Sequence, residues 1–114
     1  MIPATEVRLS DRAAGSLDAL EGSTRPESKA VARRVRALKP LLLVDCLHGE
    51  VVRRSMVPKD LRERYGLENL YVEDLPAFWR LLYSVVRIAG RRVVVVVEIV
   101  DHRTYSKWFR GRKR

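Results

Sequence analysis

The residue types best suited to chemistry lie together at the C-terminal end of the sequence. The string from Asp101 to Phe109 contains a histidine, a tyrosine, a tryptophan and two cations, and it runs into Arg110-Gly111-Arg112-Lys113-Arg114. Residues 76–114 hold ten Lys and Arg against two acids, so they carry +8 of the net charge of +9. Each phosphate that such a surface neutralises also releases counterions, which favours binding. The sequence therefore predicts a polyanion, in particular a nucleic acid, as the partner.

The same cluster also allows purely structural interpretations. Asp101 could cap the end of a strand by accepting backbone hydrogen bonds, which would leave His102 merely exposed. Tyr105, Trp108 and Phe109 recur at spacings of three and four, so they could form one face of a helical turn packed on a sheet instead of a platform for stacking bases. The cations that follow could bind RNA or form a solvated terminus; they are Lys107, Arg110, Arg112 and Lys113.

The composition argues against several other kinds of site. Cys46 is the only cysteine, so no internal disulfide can form, and we expect a buried thiol instead of a nucleophile. His48 and His102 lie far apart without a second cysteine, so we expect neither a metal nor a cofactor. The valine run 93–97 is too short to cross a membrane, and the N-terminus lacks the pattern of a secretory signal. These features predict a cytoplasmic protein with no membrane partner. A single Asn and no Gln suggest a thermophile.

The elements that position these residues begin with helices. We assign residues 1–109 to one domain and 110–114 to a basic, flexible tail. A short strand over 6–9 and Ser10 as an N-cap predict a helix over 11–20. A second helix is predicted over 27–39, where Pro40 should interrupt or restart it. Residues 41–47 could form a further helical turn or a strand, and 58–66 form a short helix that ends at Gly66.

The second half of the chain predicts a strand meander. Residues 70–75 and 79–86 have strand composition, and Ala89-Gly90 offers a hairpin turn into a strand over 93–100. Five consecutive valines imply burial on both faces, so this last strand should be central. The predicted class is α+β, with N-terminal helices packed on a small twisted antiparallel sheet. A three-residue hairpin loop would place Arg80 across from Glu98, where the two could form an ion pair.

The order of elements and several strings resemble the RelE/ParE superfamily of toxins, especially its archaeal RelE-like members. The match runs from Gly49 onward, and its strings are Asn69-Leu70-Tyr71, Leu75-Pro76, Trp79-Arg80-Leu81-Leu82-Tyr83 and Asp101-His102-Arg103-Thr104-Tyr105. The resemblance implies a toxin of a type II toxin–antitoxin system. Such a protein is a ribosome-associated mRNA endoribonuclease that inhibits translation and is neutralised by a cognate antitoxin protein.

The resemblance also implies roles for four residues. Cleavage of this kind needs no metal, because the substrate's own 2′-hydroxyl is the nucleophile; the protein removes its proton, neutralises the phosphate and protonates the leaving oxygen. Arg80 and Arg103 match the family's arginines, and an arginine fork binds phosphate oxygens in a bidentate way. His102 or Tyr105 is the acid or base. Histidine, with an ordinary pKa of about 6.5, suits proton transfer near neutral pH better than tyrosine at about 10.

One strand departs from the family's pattern. Lysines are expected on the strand before the arginine strand, where this chain has Tyr71 and Glu73 beside Asp74, and Lys59 is the nearest substitute. Carboxylates there would repel RNA, although Glu73 could itself act as a base. Two alternatives to the nuclease follow. One is a non-catalytic module that binds RNA or the ribosome, and the other is a ParE-like toxin that blocks a protein target.

Overall fold

A five-stranded mixed sheet organises the fold in the structure, a computed structural model that describes residues 1–109. The strands are β1 (Glu6–Leu9), β2 (Glu50–Val51), β3 (Tyr71–Asp74), β4 (Arg80–Ile88) and β5 (Arg91–Val100). They lie in the order β1-β5-β4-β3-β2. Strands β2 to β5 pair antiparallel, whereas β1 runs parallel to β5. The predicted α+β class is confirmed. Strand β1 lies at one edge of the sheet, next to β5 of the antiparallel meander.

Helices cover both faces of this sheet. Between residues 1 and 109 they are α1 (Asp11–Gly22), α2 (Pro26–Val44), α3 (Lys59–Tyr65) and α4 (His102–Trp108). Helices α1 and α2 pack on one face through buried residues such as Leu17 and Leu38. The short helices α3 and α4 supply Leu61 and Tyr105 to a second core on the other face, against Val97. This second layer is why the valine run is buried on both faces.

The ends of two helices follow local sequence signals. The Ser10 hydroxyl accepts the N–H of Ala13 at 3.1 Å and so caps α1, as predicted. Helix α3 ends where Gly66 adopts a left-handed conformation with φ of 62°. Glycine has no Cβ to clash in that conformation, so the sequence places this end correctly.

Helix α2 corrects the predicted break at Pro40. The helix continues to Val44, with Pro40 inside it at an exposed position. An interior proline costs about 3 kcal/mol, because it removes a backbone hydrogen bond and crowds the preceding turn. Leu38 and Leu42 lie one turn apart and are both almost fully buried. Burial of each contributes about 1.5–3 kcal/mol, so packing of this face offsets the proline.

The turn between β4 and β5 is one residue shorter than expected. Ala89 and Gly90 are its two central residues, since Ile88 pairs with Arg91. Both have positive φ, 52° and 77°. This turn geometry matches the right-handed twist of the flanking strands. The sequence gives the position of the turn but not its length.

A β-bulge then shifts the register of the hairpin by another residue. An uninterrupted ladder would pair Leu82 with Val97, but Leu82 pairs with Glu98 and Val97 is skipped. The short turn and the bulge together place Arg80 opposite Val100. The predicted pairing of Arg80 with Glu98 is therefore wrong.

Candidate functional site

Arg80, the predicted phosphate ligand on β4, is held within the fold. Its guanidinium carbon lies 5.1 Å from the ring centroid of Tyr105, and Nη1 donates to the carbonyl of Trp79 at 3.0 Å. Its Nε lies 3.0 Å from Oδ1 of Asp74, an ion pair without hydrogen-bond geometry. Only 15% of the side chain is exposed, so Arg80 joins β3, β4 and α4 and offers little surface to a phosphate.

Tyr105 belongs to the second core. It is buried, and its ring centroid lies 4.7 Å from that of Phe109. Trp108 packs against the same core and is partly buried. The structural interpretation is thereby confirmed for Tyr105 and Phe109, which are buried, whereas Trp108 keeps an exposed part. Burial keeps the Tyr105 hydroxyl away from any substrate that approaches from solvent.

His102 and Arg103 are exposed in the first turn of α4. The centroid of the His102 ring lies 5.8 Å from that of the Phe78 ring. Asp101 caps the helix, because its Oδ1 accepts the N–H of Thr104 at 2.9 Å. That hydrogen bond, helped by the charges of Arg103 and His102, lowers the pKa of the Asp101 carboxyl. The structure thus brings Arg80 and Tyr105 into contact but leaves His102 and Arg103 on the surface.

The predicted RNA-binding lysines lie on helix surfaces. Lys59 begins α3, is highly exposed, and has its Nζ 3.8 Å from Oε1 of Glu63. Lys107 is exposed in the last turn of α4. The other predicted contacts, in the tail 110–114, lie outside the described residues; they are Arg110, Arg112 and Lys113.

A histidine–carboxylate pair occupies the strand where lysines were expected. Glu73 on β3 is buried, and its Oε2 lies 2.6 Å from Nδ1 of His48. The His48 side chain is 43% exposed, whereas that of Glu73 is 8% exposed. Tyr71 is half-buried, and its ring meets that of Tyr83 edge to face, with centroids 5.3 Å apart. Glu73 is covered and paired, so it does not face an RNA backbone directly, whereas the neighbouring Asp74 side chain is 77% exposed.

A glycine fixes the loop that carries His48. The N–H of Gly49 donates to the Tyr83 hydroxyl at 2.9 Å. A Cβ at Gly49 would lie 2.9 Å from that hydroxyl and 2.9 Å from the carbonyl oxygen of Val72. Burial raises the pKa of Tyr83 far above its ordinary range, so the phenol stays neutral. The close approach holds His48 over Glu73.

This arrangement suits proton transfer. A carboxylate that accepts the N–H at Nδ1 sets the tautomer of a histidine and leaves Nε2 as the base. Burial of Glu73 strengthens the contact, because a carboxylate removed from water needs a partner. Sequence reasoning noted Glu73 as a possible base but missed His48, which lies 25 residues away along the chain. The sequence offered no local signal for this pair, because Glu73 stands beside Asp74 in a strand of four residues.

Glu98 on β5 connects three elements of the fold. Its side chain is 3% exposed, and Oε2 accepts the Tyr65 hydroxyl at 2.8 Å and Nε of Arg12 at 3.1 Å. Nη1 of Arg64 lies 3.4 Å from the same oxygen. Burial, followed by the hydrogen bond to Glu98, raises the pKa of Tyr65. The carboxylate therefore ties α1 and α3 to β5.

Three arginines crowd the tip of the β4–β5 hairpin. Arg87 and Arg92 are directly opposite each other, and Arg91 is adjacent. Nη1 of Arg87 donates to the carbonyl of Gly90 at 3.3 Å, and Nη1 of Arg92 donates to that of Pro3 at 3.0 Å. These carbonyl contacts orient the guanidinium groups without neutralising them. Like charges directly opposite destabilise a strand pair.

A cleft of about 710 Å³ opens at the end of the sheet near Glu98. It lies between the α1–α2 turn, the end of β5 and helix α4, and its lining includes Arg12, Arg25, Ser28, Trp79, Thr104 and Trp108. Trp79 packs with the first core and Trp108 with the second. The cleft thus lies where the two layers meet.

Within residues 1–109, no group of three or more metal-binding side chains could hold a metal ion. No helix in that range is long and apolar enough to cross a membrane. No family model matches the chain, and neither the curated proteins nor the solved structures that were searched gave a match.

Proposed function

We propose that this protein binds RNA and that the arginine-rich hairpin tip is a principal contact. The directly opposed Arg87 and Arg92, with Arg91 beside them, carry the proposal. Their repulsion is relieved when a polyanion lies across the tip, so bound phosphate stabilises an arrangement that is unfavourable in the free protein. Counterion release adds to the affinity.

The placement of the acids supports the same function. Glu73 and Glu98 are buried with their own cationic or neutral partners inside the fold. Asp74 pairs with Arg80. Glu73 and Glu98 therefore oppose the field of the exposed arginines less than free surface acids would, whereas the Asp74 side chain is 77% exposed. A protein with net charge +9 therefore presents a mainly positive surface to RNA.

The biological setting that we propose is that of a cytoplasmic RelE-like toxin, with ribosome-bound mRNA as the target and an antitoxin as the inhibitor. The order of two helices before an antiparallel meander and a terminal helix supports it. Exposed apolar residues also support a protein partner; they are Leu41, Val44, Leu47 and Val51. Co-purification with a small acidic protein encoded by a neighbouring gene, and its loss in Val44→Ser/Leu47→Ser, would test this pairing.

RNA cleavage is a second candidate function, and the His48–Glu73 pair favours it. In the proposed step Nε2 of His48 takes the proton of a 2′-hydroxyl, and the 2′-oxygen attacks the adjacent phosphorus. The bond from phosphorus to the 5′-oxygen breaks, and that oxygen takes a proton from water. The products are a 2′,3′-cyclic phosphate and a 5′-hydroxyl. Buried Tyr105 makes the set inferred from the resemblance a weaker candidate than this pair.

Salt-dependent RNA binding tests the first proposal. Arg87→Gln/Arg92→Gln should lower the slope of log affinity against log salt by about 1.4, since each phosphate contact on a single strand contributes about 0.7. Arg33→Gln/Lys39→Gln removes the same charge from exposed positions of α2 and serves as the control. Fluorescence anisotropy with a labelled single-stranded RNA gives both slopes. Equal effects of the two double variants would remove the hairpin tip as the contact.

The two histidines separate the candidate catalytic sites. The protein is incubated with translating ribosomes, and the mRNA ends are mapped for the wild type, His48→Gln and His102→Gln. We expect cleavage by the wild type and His102→Gln, and its loss in His48→Gln. The reverse pattern would restore the assignment drawn from the resemblance. If the wild type binds RNA but does not cleave it, the protein is a non-catalytic RNA-binding module.

A further inference from the structure

We propose that the cleft between the α1–α2 turn and α4 binds one nucleotide, with its base on the tryptophans and its phosphate at Arg25. The volume of about 710 Å³ lies within the range of pockets that hold small molecules, roughly 300–1,000 Å³. This site is separate from the hairpin tip and does not depend on RNA binding there.

The tryptophans determine the class of ligand. Trp79 and Trp108 both line the cleft, and they are the only tryptophans in the chain. Each is partly buried and packs against a different core, so apolar side chains contact both indoles. Rigid aromatic faces of this kind stack well on nucleobases, each of which has a π-face.

The polar lining suits the rest of a nucleotide. Arg25 is highly exposed and has only a loose contact with Glu27, at 3.8 Å, so its guanidinium is available for a phosphate. Ser23, Ser28 and Thr104 add hydroxyls to the wall that can bind phosphate or ribose oxygens.

Two charged residues of the lining, Arg12 and Asp101, are held in place by hydrogen bonds. Nε of Arg12 is held by buried Glu98 at 3.1 Å, so this arginine is oriented within the lining. Asp101 also lines the cleft, and its capping hydrogen bond keeps the pKa of its carboxyl low. Carboxylates accept hydrogen bonds from base N–H groups but repel phosphate. We therefore place the base toward Asp101 and the phosphate toward Arg25.

The tryptophans also make the proposal directly measurable. The indole N–H signals in a ¹H–¹⁵N spectrum number two, and Trp108→Phe assigns them. Addition of 5′-AMP should shift both signals saturably, with an affinity about tenfold above that of adenosine or inorganic phosphate alone. Equal affinity for inorganic phosphate would show an anion site without base recognition and would overturn the proposal. Shifts with an RNA oligonucleotide but not with 5′-AMP would also overturn it.

Matched variants complete the test. Arg25→Gln should weaken 5′-AMP binding about tenfold, whereas Arg33→Gln, which removes an exposed arginine from the same helix region, should leave it unchanged. Arg87→Gln/Arg92→Gln should weaken RNA binding without affecting 5′-AMP. If Arg25→Gln and Arg33→Gln weaken 5′-AMP binding equally, the cleft is not the site. Each proposal can therefore fail without the other.

Discussion

Replacing Glu98 with glutamine tests whether one buried carboxylate holds the two layers of the fold together. Glutamine keeps the shape of the side chain and one oxygen acceptor but removes the charge. In the wild type, Oε2 of the Glu98 carboxylate accepts a hydrogen bond from the Tyr65 hydroxyl at 2.8 Å and contacts the guanidinium groups of Arg12 and Arg64. We expect Glu98→Gln to be among the most destabilising isosteric changes in the chain.

The structure sets the size of the effect. A hydrogen bond to a charged acceptor contributes about 1.5–3 kcal/mol, and the Tyr65 bond is of this kind. Arg12 and Arg64 are 58% and 43% exposed, so each ion pair adds less than about 1 kcal/mol after solvent screening. Since the amide oxygen of glutamine still accepts one bond, the net loss of unfolding free energy should be about 2–3 kcal/mol.

Urea unfolding of a double-mutant cycle measures this loss. Glu98→Gln, Tyr65→Phe and the double variant should give a coupling energy of about 1–2 kcal/mol. Glu63→Gln is the control, because its pair with Lys59 is exposed and weak, worth less than about 0.5 kcal/mol. A coupling below about 0.3 kcal/mol, or equal losses in Glu98→Gln and Glu63→Gln, would refute the reasoning.

Three further predictions concern Gly49, Tyr83 and Asp101. Gly49→Ala should lower the free energy of unfolding by about 1–3 kcal/mol in thermal unfolding, because its Cβ meets the Tyr83 hydroxyl and a backbone carbonyl. Gly15→Ala in α1, where a Cβ meets nothing, should raise it by about 0.5–1 kcal/mol. A Gly49→Ala variant as stable as the wild type would contradict the close approach. Tyr83 has a raised pKa, so its contribution to stability is present below about pH 10 and is lost as pH rises further. The stability of Tyr83→Phe should therefore fall less at alkaline pH than that of the wild type. An equal fall in both proteins would exclude Tyr83 as its source. Asp101 has a lowered pKa, so its contribution to stability is present above about pH 4 and is lost on acidification. Asp101→Ala should lower the free energy of unfolding by about 1 kcal/mol at neutral pH. If the difference in stability between this variant and the wild type does not narrow in acid, the carboxylate does not act as the cap.

The candidate sites divide into a part that local sequence predicts and a part that it does not. The basic C-terminal half, the role of Asp101 as a cap and the packing of Tyr105 all follow from residue types within a few positions of each other. The pair of His48 with Glu73 joins a loop to a strand, and no local pattern encodes the distance between them. Arg80 was predicted to bind phosphate or to pair with Glu98, but Tyr105 of α4 packs against its guanidinium and only 15% of the side chain is exposed.

The sequence by itself determines several helix ends and the position of the hairpin turn. The Ser10 cap, the left-handed Gly66 and the turn at Ala89-Gly90 act through backbone torsions and hydrogen bonds over a few residues, so they can be predicted without the rest of the chain. The valine run likewise specifies a strand buried on both faces, because no other placement removes it from water.

Only the tertiary structure decides how these elements are aligned. The helix continues through Pro40 because Leu42 gains burial against the sheet. The bulge at Val97 moves Glu98 away from Arg80 and toward Tyr65, so it decides which charges are buried together. Such choices balance packing energies from both cores against local costs of a few kcal/mol. The arginine tip, the His48–Glu73 pair and the tryptophan cleft all result from that balance.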